Sequence, residues 1–212
     1  MLFRYCIFIY FTFTFVAQSF SQSRPDEIAD LLLWLRADSN LVLNENKVAV
    51  WKDCSNNGND AVQTSPDNQP ELINNYINGL PALSFNGTSS FMLTPVGLLD
   101  NMDSLSMFIV LKYISSDGNS GVFASSTGYS DFELIELGGG GMLRIKMSSA
   151  VNGDLFSPIG NWNILSLICS NLDGKIWKNG LSMPTNNSSF QLPINSNIQQ
   201  AIGRYAGSYF SN

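Results

Sequence analysis

The stretch Asp131-Phe132-Glu133-Leu134-Ile135-Glu136 carries three carboxylates at a spacing that could work on a sugar. Side chains alternate along an extended chain, so Asp131 and Glu133 share one face and Glu136 takes the other unless a bulge intervenes. A retaining glycosidase needs two carboxyl groups about 5 Å apart, one as nucleophile and one as acid/base. The same residues also make an ordinary polar strand face with Leu134 turned inward, and hydrolysis through Asp131, Glu133 and Glu136 stands as the alternative to that reading. The chain contains no His, which removes Ser-His-Asp and Cys-His catalysis, imidazole metal sites and the usual base near neutral pH.

A second oxygen-rich stretch, Asp53-Cys54-Ser55-Asn56-Asn57-Gly58-Asn59-Asp60, sets side-chain oxygens at 53, 55 and 57 ahead of a glycine. That is the front half of a calcium loop, in which a hard cation takes oxygens at alternate positions. Thr64 stands where a bidentate Glu would close such a loop. Asp53, Asn57 and Asp60 are therefore the candidate ligands of an optional Ca2+, and no cofactor is required. The alternative is a tight loop whose Asn and Asp side chains bond their own backbone. Sugars themselves call for flat rings against their C–H faces and amides for their hydroxyls. Trp162, Tyr129, Tyr205 and Tyr209 fall at strand ends or in loops and are the candidate ligand-binding residues.

An all-β body must position these groups. Leu105, Met107, Ile109, Leu111 and Tyr113 alternate on one strand face, and Phe108 and Val110 make the other face apolar, which reads as a central strand. Leu143, Ile145 and Met147 alternate with Arg144, Lys146 and Ser148, the pattern of a sheet with one wet side. Ile164 to Cys169 is another buried run, with a tight hairpin expected at Asp173-Gly174 and a further turn at Asn179-Gly180. Gly138 to Gly141 sits between two strand-like runs, Phe132–Leu137 and Met142–Met147, and has neither a following helix nor a phosphate-binding Lys, so it is a hairpin turn. Short strands at close intervals without long helices predict an antiparallel β-sandwich.

Composition narrows the partners. Of 212 residues only 13% are charged, the formal net charge is −6 and the pI is near 4.5. No basic stripe exists to displace the counterions of a nucleic acid. Met1 to Ser21 runs from Arg4 through the apolar stretch Tyr5–Ala17 to small residues at Ser19 and Ser21, the order of a secretory signal peptide. That apolar stretch falls short of the roughly 20 residues that span a bilayer, and no later one is longer, so no membrane span is expected after cleavage. The expected organisation is a signal peptide over 1–21, a short lead over 22–30 and one domain over 31–212, secreted or held at the cell surface. Two cysteines, Cys54 and Cys169, remain after export, and a disulfide between them is weighed against two small buried thiols.

Several motifs occur in a telling order. Leu31-Leu32-Leu33-Trp34-Leu35-Arg36-Ala37-Asp38 leads to Val50-Trp51-Lys52-Asp53, then to Asn78-Gly79-Leu80-Pro81-Ala82-Leu83-Ser84-Phe85-Asn86-Gly87. Ser106–Leu111, Trp177-Lys178-Asn179-Gly180 and Ala201-Ile202-Gly203-Arg204 follow. The series resembles the LamG-like jelly rolls of the concanavalin A-like lectin/glucanase superfamily found in secreted bacterial proteins. The resemblance implies a concanavalin A-like jelly roll and core positions for Trp34, Trp51 and Trp177. A related glucanase family carries Glu-x-Asp-x-x-Glu on one strand, from which Asp131 and Glu133 depart by exchanging the two acid types. Family members also continue past Ile-Gly-Arg into a Gly-Asp turn and a last apolar strand pairing near the first. This chain reaches Ser211-Asn212 without it, which implies a C-terminally truncated domain with an unpaired strand at Leu31–Leu35. The functional expectation is a non-catalytic module that binds glycans or cell-surface polymers. The alternatives are a glycoside hydrolase acting on polysaccharides and a protein-binding adhesion or spacer module.

Overall fold

The computed structural model describes residues 24–114, 120–126, 132–137, 142–147, 150–154, 160–170, 173–183, 197–205 and 208–209. The expected signal segment, 1–21, and the candidate residues Tyr129 and Asp131 lie outside them. In chain order the strands are β1 (Leu41–Asn44), β2 (Lys47–Trp51), β3 (Ala61–Val62), β4 (Glu71–Ile77), β5 (Leu80–Ser84) and β6 (Met92–Val96). They continue with β7 (Ser104–Lys112), β8 (Ser120–Ser125), β9 (Phe132–Leu137), β10 (Met142–Met147), β11 (Ala150–Asp154) and β12 (Trp162–Ser170). The last are β13 (Asp173–Lys178), β14 (Leu181–Ser182), β15 (Gln199–Ile202), β16 (Arg204–Tyr205) and β17 (Ser208–Tyr209).

Two antiparallel layers make a sandwich, as the strand pattern predicts. The larger runs β11-β10-β9-β8-β15-β6-β3-β2-β4-β5, with β1 added to β2, and the smaller runs β14-β13-β12-β7. Leu111, Leu165, Leu167, Cys169 and Ile176 of the smaller layer pack into one core with Val48, Ala61, Met92, Phe123 and Leu134 of the larger. The gap between the layers beside Leu134, Leu165 and Ile176 is about 10 Å³, no more than a single water needs. Any ligand of this core region must therefore bind outside it. Gly203 is held at φ +85° so close to the Phe85 ring that a Cβ would overlap it, which is why glycine follows Ile202 there. The Asn78-Gly79 and Asn179-Gly180 pairs both take positive φ, the type I′ geometry that joins β4 to β5 and β13 to β14.

Four expectations are corrected. Asp173 and Gly174 are strand residues of β13, opposite Ser170 and Cys169, in a register that turns Gly174 and Ile176 toward the core. Strand β7 is not central: among the described residues it pairs only with β12, and its outward Phe108 and Val110 are 69% and 60% exposed. On β12, Ile164 opposite Val110 and Ile168 opposite Ser106 are 52% and 45% exposed, so this outer face is apolar and open. Residues 31–34 form no strand, and Leu35 makes a single bridge to Asp53. Cys54 and Cys169 are both free: Cys169 is buried on the inner face of β12 with its thiol toward the Leu105 carbonyl, while Cys54 lies in the partly exposed 53–60 loop near Asn40. Burial pushes the Cys169 thiol up to about 11, so it stays protonated and inert.

Candidate functional site

The 53–60 loop resolves into a hydrogen-bonded knot. Asp53 Oδ1 accepts from the backbone N–H of Trp34 at 2.9 Å and of Ser55 at 2.8 Å. Its Oδ2 accepts from Ser55 Oγ at 2.6 Å and from the Asn59 N–H at 3.1 Å. A carboxylate offers about four lone-pair sites, so this one is filled by the chain itself. Asp60 Oδ1 accepts from the Asp53 N–H at 2.9 Å, and Asn57 Nδ2 donates to the Leu31 carbonyl at 2.6 Å. Burial raises the Asp53 pKa, but the bonds from Ser55, Trp34 and Asn59 outweigh it and hold the carboxyl below its ordinary value.

This donor set does not fit a bound cation: a metal at Asp53 would have to displace four protein donors. Among the described residues no three His, Cys, Asp or Glu side chains converge on a metal-sized site either. What the knot does is hold residues 31–34. The Leu32 carbonyl accepts from Ser55 Oγ at 3.2 Å and Asn59 Nδ2 at 2.9 Å, and the Trp34 carbonyl accepts from the Cys54 N–H at 2.8 Å. Side chains of the loop thus bond the carbonyls of Leu31 and Leu32, where the sequence predicts a strand with an unpaired edge. An open groove of about 630 Å³ runs along this junction, lined by Asp26, Asp30, Leu31, Ser55, Asn57 and Asn59.

The carboxylate stretch sits on β9, paired on both sides. Glu133 lies opposite Lys146 of β10 and Ala124 of β8, and Glu136 opposite Leu143 and Ser120. Leu134 between them is buried, as the polar-face reading requires. Tyr205 and Tyr209 belong to the β16–β17 ribbon, where Tyr205 pairs with Ser208 and Arg204 with Tyr209.

Trp162 stands in a different setting. It opens β12 directly opposite Lys112, the last residue of β7, and both lie on the outer face because Asn163 and Leu111 beside them turn inward. The β7 and β12 ends are tied by the Gly160 N–H donating to the Tyr113 carbonyl at 2.8 Å. From the larger sheet β4 reaches the same spot. Its pairing with β5 shifts between Ile73 and Ile77, with Asn75 at φ +54°, and this bulge presents Tyr76, which is 39% exposed. The Tyr76 and Trp162 rings meet edge to face, centroids 5.7 Å apart at 74°. Lys112 Nζ stands 5.7 Å from the Tyr76 ring centre, within cation–π range. Asn161 and Asn179 lie exposed at the same end, Asn179 fixed by accepting from the Ile164 N–H at 2.8 Å.

Of these three neighbours the sequence singles out only Trp162, and it does not place Tyr76 or Lys112 beside it. The broken alternation Ile73-Asn74-Asn75-Tyr76-Ile77 is the signal that could have exposed Tyr76. Lys112 emerges only from the register. The other tryptophans divide: Trp51 packs on the core and donates its indole N–H to the Arg36 carbonyl at 2.8 Å. Trp34 is half-buried with the Arg36 guanidinium over its ring, and Trp177, opposite Ser166, falls on the outer face of the smaller sheet, not in the core.

No protein-family model matches the chain, and no curated protein matches it. Solved structures do resemble it in fold. Trypanosoma rangeli sialidase is 17% identical with a TM-score of 0.53, over 84% of this chain and 28% of the sialidase. The sialidase in complex with sialic acid aligns with a TM-score of 0.56 at 15% identity, over 83% of this chain and 28% of that one. Domain 4 of AbnA, a GH43 extracellular arabinanase from Geobacillus stearothermophilus, solved with arabinotriose, is 20% identical with a TM-score of 0.52, over 67% of this chain and 70% of that domain. This chain therefore spans under a third of the sialidase it matches. At these identities the likeness is one of fold.

Proposed function

We propose that this chain is a secreted, non-catalytic glycan-binding module of the LamG-like, concanavalin A-like type, exported by its first 21 residues. The observation that carries the reading is the contact of exposed Tyr76 with half-buried Trp162 at the open end of β7 and β12, with Asn161 and Asn179 beside it. Two rings set edge to face offer a sugar a stacking surface and a wall, and the amides supply hydroxyl partners. The fold supports it too, since a domain of similar architecture was solved holding arabinotriose. The calcium expectation has no place in this mechanism, because Asp53 is occupied by its own loop.

Native electrophoresis through gels containing single polysaccharides tests the reading. The chain is expected to migrate as a sharp band slowed by at least one polymer, and Trp162→Ala to lose that retardation while unfolding at the same urea concentration. A sharp band slowed by none would end it. One observation favours a second reading, protein adhesion: the apolar outer face of Phe108, Val110, Ile164 and Ile168. Binding that survives saturating free oligosaccharide and Trp162→Ala, but is lost in Phe108→Ser, would decide for it.

A further inference from the structure

We infer that the Tyr76–Trp162–Lys112 cluster selects a sugar bearing a single negative group, a carboxylate or a sulfate ester, with Lys112 as its counter-ion. The inference rests on the glycan-binding reading and adds the chemical class of the ligand.

The argument starts from how this chain uses its cations. Arg24 is paired with Asp26 at 3.2 Å and Arg36 with Asp38 at 2.8 Å, and Lys47 donates to the Pro66 carbonyl at 3.1 Å. Each has its charge or its donors met by an oxygen of the chain. Arg204 stands over the Phe91 ring, 3.8 Å from its centroid, and Lys112 is likewise held by a ring rather than by an oxygen. Its ammonium is set by the face of Tyr76 and by a fixed place opposite Trp162 in the β7–β12 register, and no described carboxylate lies within ion-pair distance. A ring face satisfies charge but accepts none of the three N–H donors in the way an oxygen does. The ammonium is thus positioned and left with donors beside one exposed ring, Tyr76, and one half-buried ring, Trp162. An anionic oxygen there gains a charge-assisted hydrogen bond, about twice as strong as a neutral one, and costs no reorganisation of the lysine.

The rest of the molecule limits which anion. At a formal charge of −6 the chain repels a densely charged polymer at long range, and only the local contact attracts. A sparsely charged saccharide fits both facts. The ring pair reads the sugar face and Lys112 reads one charge.

The test uses the full secreted chain and a panel of oligosaccharides, each in three forms: neutral, carrying one uronic acid, and carrying one sulfate ester. Titration calorimetry is expected to give at least 10-fold tighter binding to one charged form than to its neutral counterpart. Lys112→Gln should bring the charged form down to the neutral affinity, with Lys112→Arg retaining most of the difference. Raising salt from 50 to 500 mM should weaken the charged form and leave the neutral one, a readout on the unaltered protein that needs no variant to fold. Preference for the uronic acid or for the sulfate ester each supports the inference and names the source of the charge. Equal affinity for neutral and charged forms, with Lys112→Gln changing neither, overturns it while leaving glycan binding intact. Binding to no form at all overturns it together with the reading it rests on.

Discussion

The 53–60 loop and the Tyr76–Trp162–Lys112 cluster are both rich in groups that could meet a ligand, and they spend them in opposite ways. Asp53 has its carboxylate filled by Trp34, Ser55 and Asn59, and Asn57 and Asn59 reach the carbonyls of Leu31 and Leu32. The cluster keeps its rings half-exposed and its lysine without a carboxylate among the described residues. Residue type alone offers both as binding candidates. Hydrogen-bond accounting separates them, because a polar group already satisfied inside the chain has nothing left for a partner.

The largest effect that would test this contrast is Asp53→Ala. It strands several part-buried N–H groups at once and is expected to cost about 3 kcal/mol, by the magnitude of hydrogen bonds to charged groups; urea unfolding measures it, and a loss below about 1 kcal/mol would mean the loop is not the staple described. Trp162→Ala should do the reverse, weakening glycan binding at least 10-fold, about 1.4 kcal/mol, with little change in the urea midpoint. Asn57→Ala removes one neutral link to residue 31 and should destabilise by about 1 kcal/mol, leaving binding untouched. Acid separates the two regions more finely. Because the folded Asp53 carboxyl is held below its ordinary value, its stabilisation is complete above the unfolded pKa of about 3.9 and is lost as pH falls through the lower folded value. Stability of the natural chain should therefore drop more steeply below about pH 4 than that of Asp53→Asn, as thermal melts across pH 2–6 would show. Smallest of all, adding calcium or a chelator should leave the melting temperature where it was; a rise with calcium that Asp53→Ala abolishes would restore the metal reading.

Much of the sandwich is legible in the sequence because strand signals are local. Phe132–Leu137 and Met142–Met147 stand as β9 and β10 with the bounds that alternation gives them, and the Asn179-Gly180 turn lies where its left-handed tolerance puts it. Trp162 falls at a strand start, as its place in the sequence suggests, though it is half-buried rather than exposed. The errors fall where pairing decides. The pattern of β7, apolar on both faces, is the signature of a covered strand, and only its neighbours could show Phe108 and Val110 facing solvent. Leu31–Leu35 has a strand's composition, yet its backbone is satisfied by side chains far along the chain. The Tyr76–Trp162–Lys112 cluster joins three strands from two sheets and could not be seen from any one of them.

The stapling of residues 31–34 also has a consequence for the order in which the molecule assembles. The bonds holding this segment span 19 to 27 residues of chain, and one end of each is in the loop between β2 and β3. They can form only after that loop has its shape, and closing such spans costs chain entropy before any contact repays it. The segment should dock late and open early, as one unit. Native-state hydrogen exchange would see it as the Trp34 and Cys54 amides becoming exchangeable together, at a free energy below that of the buried Leu165–Cys169 stretch of β12.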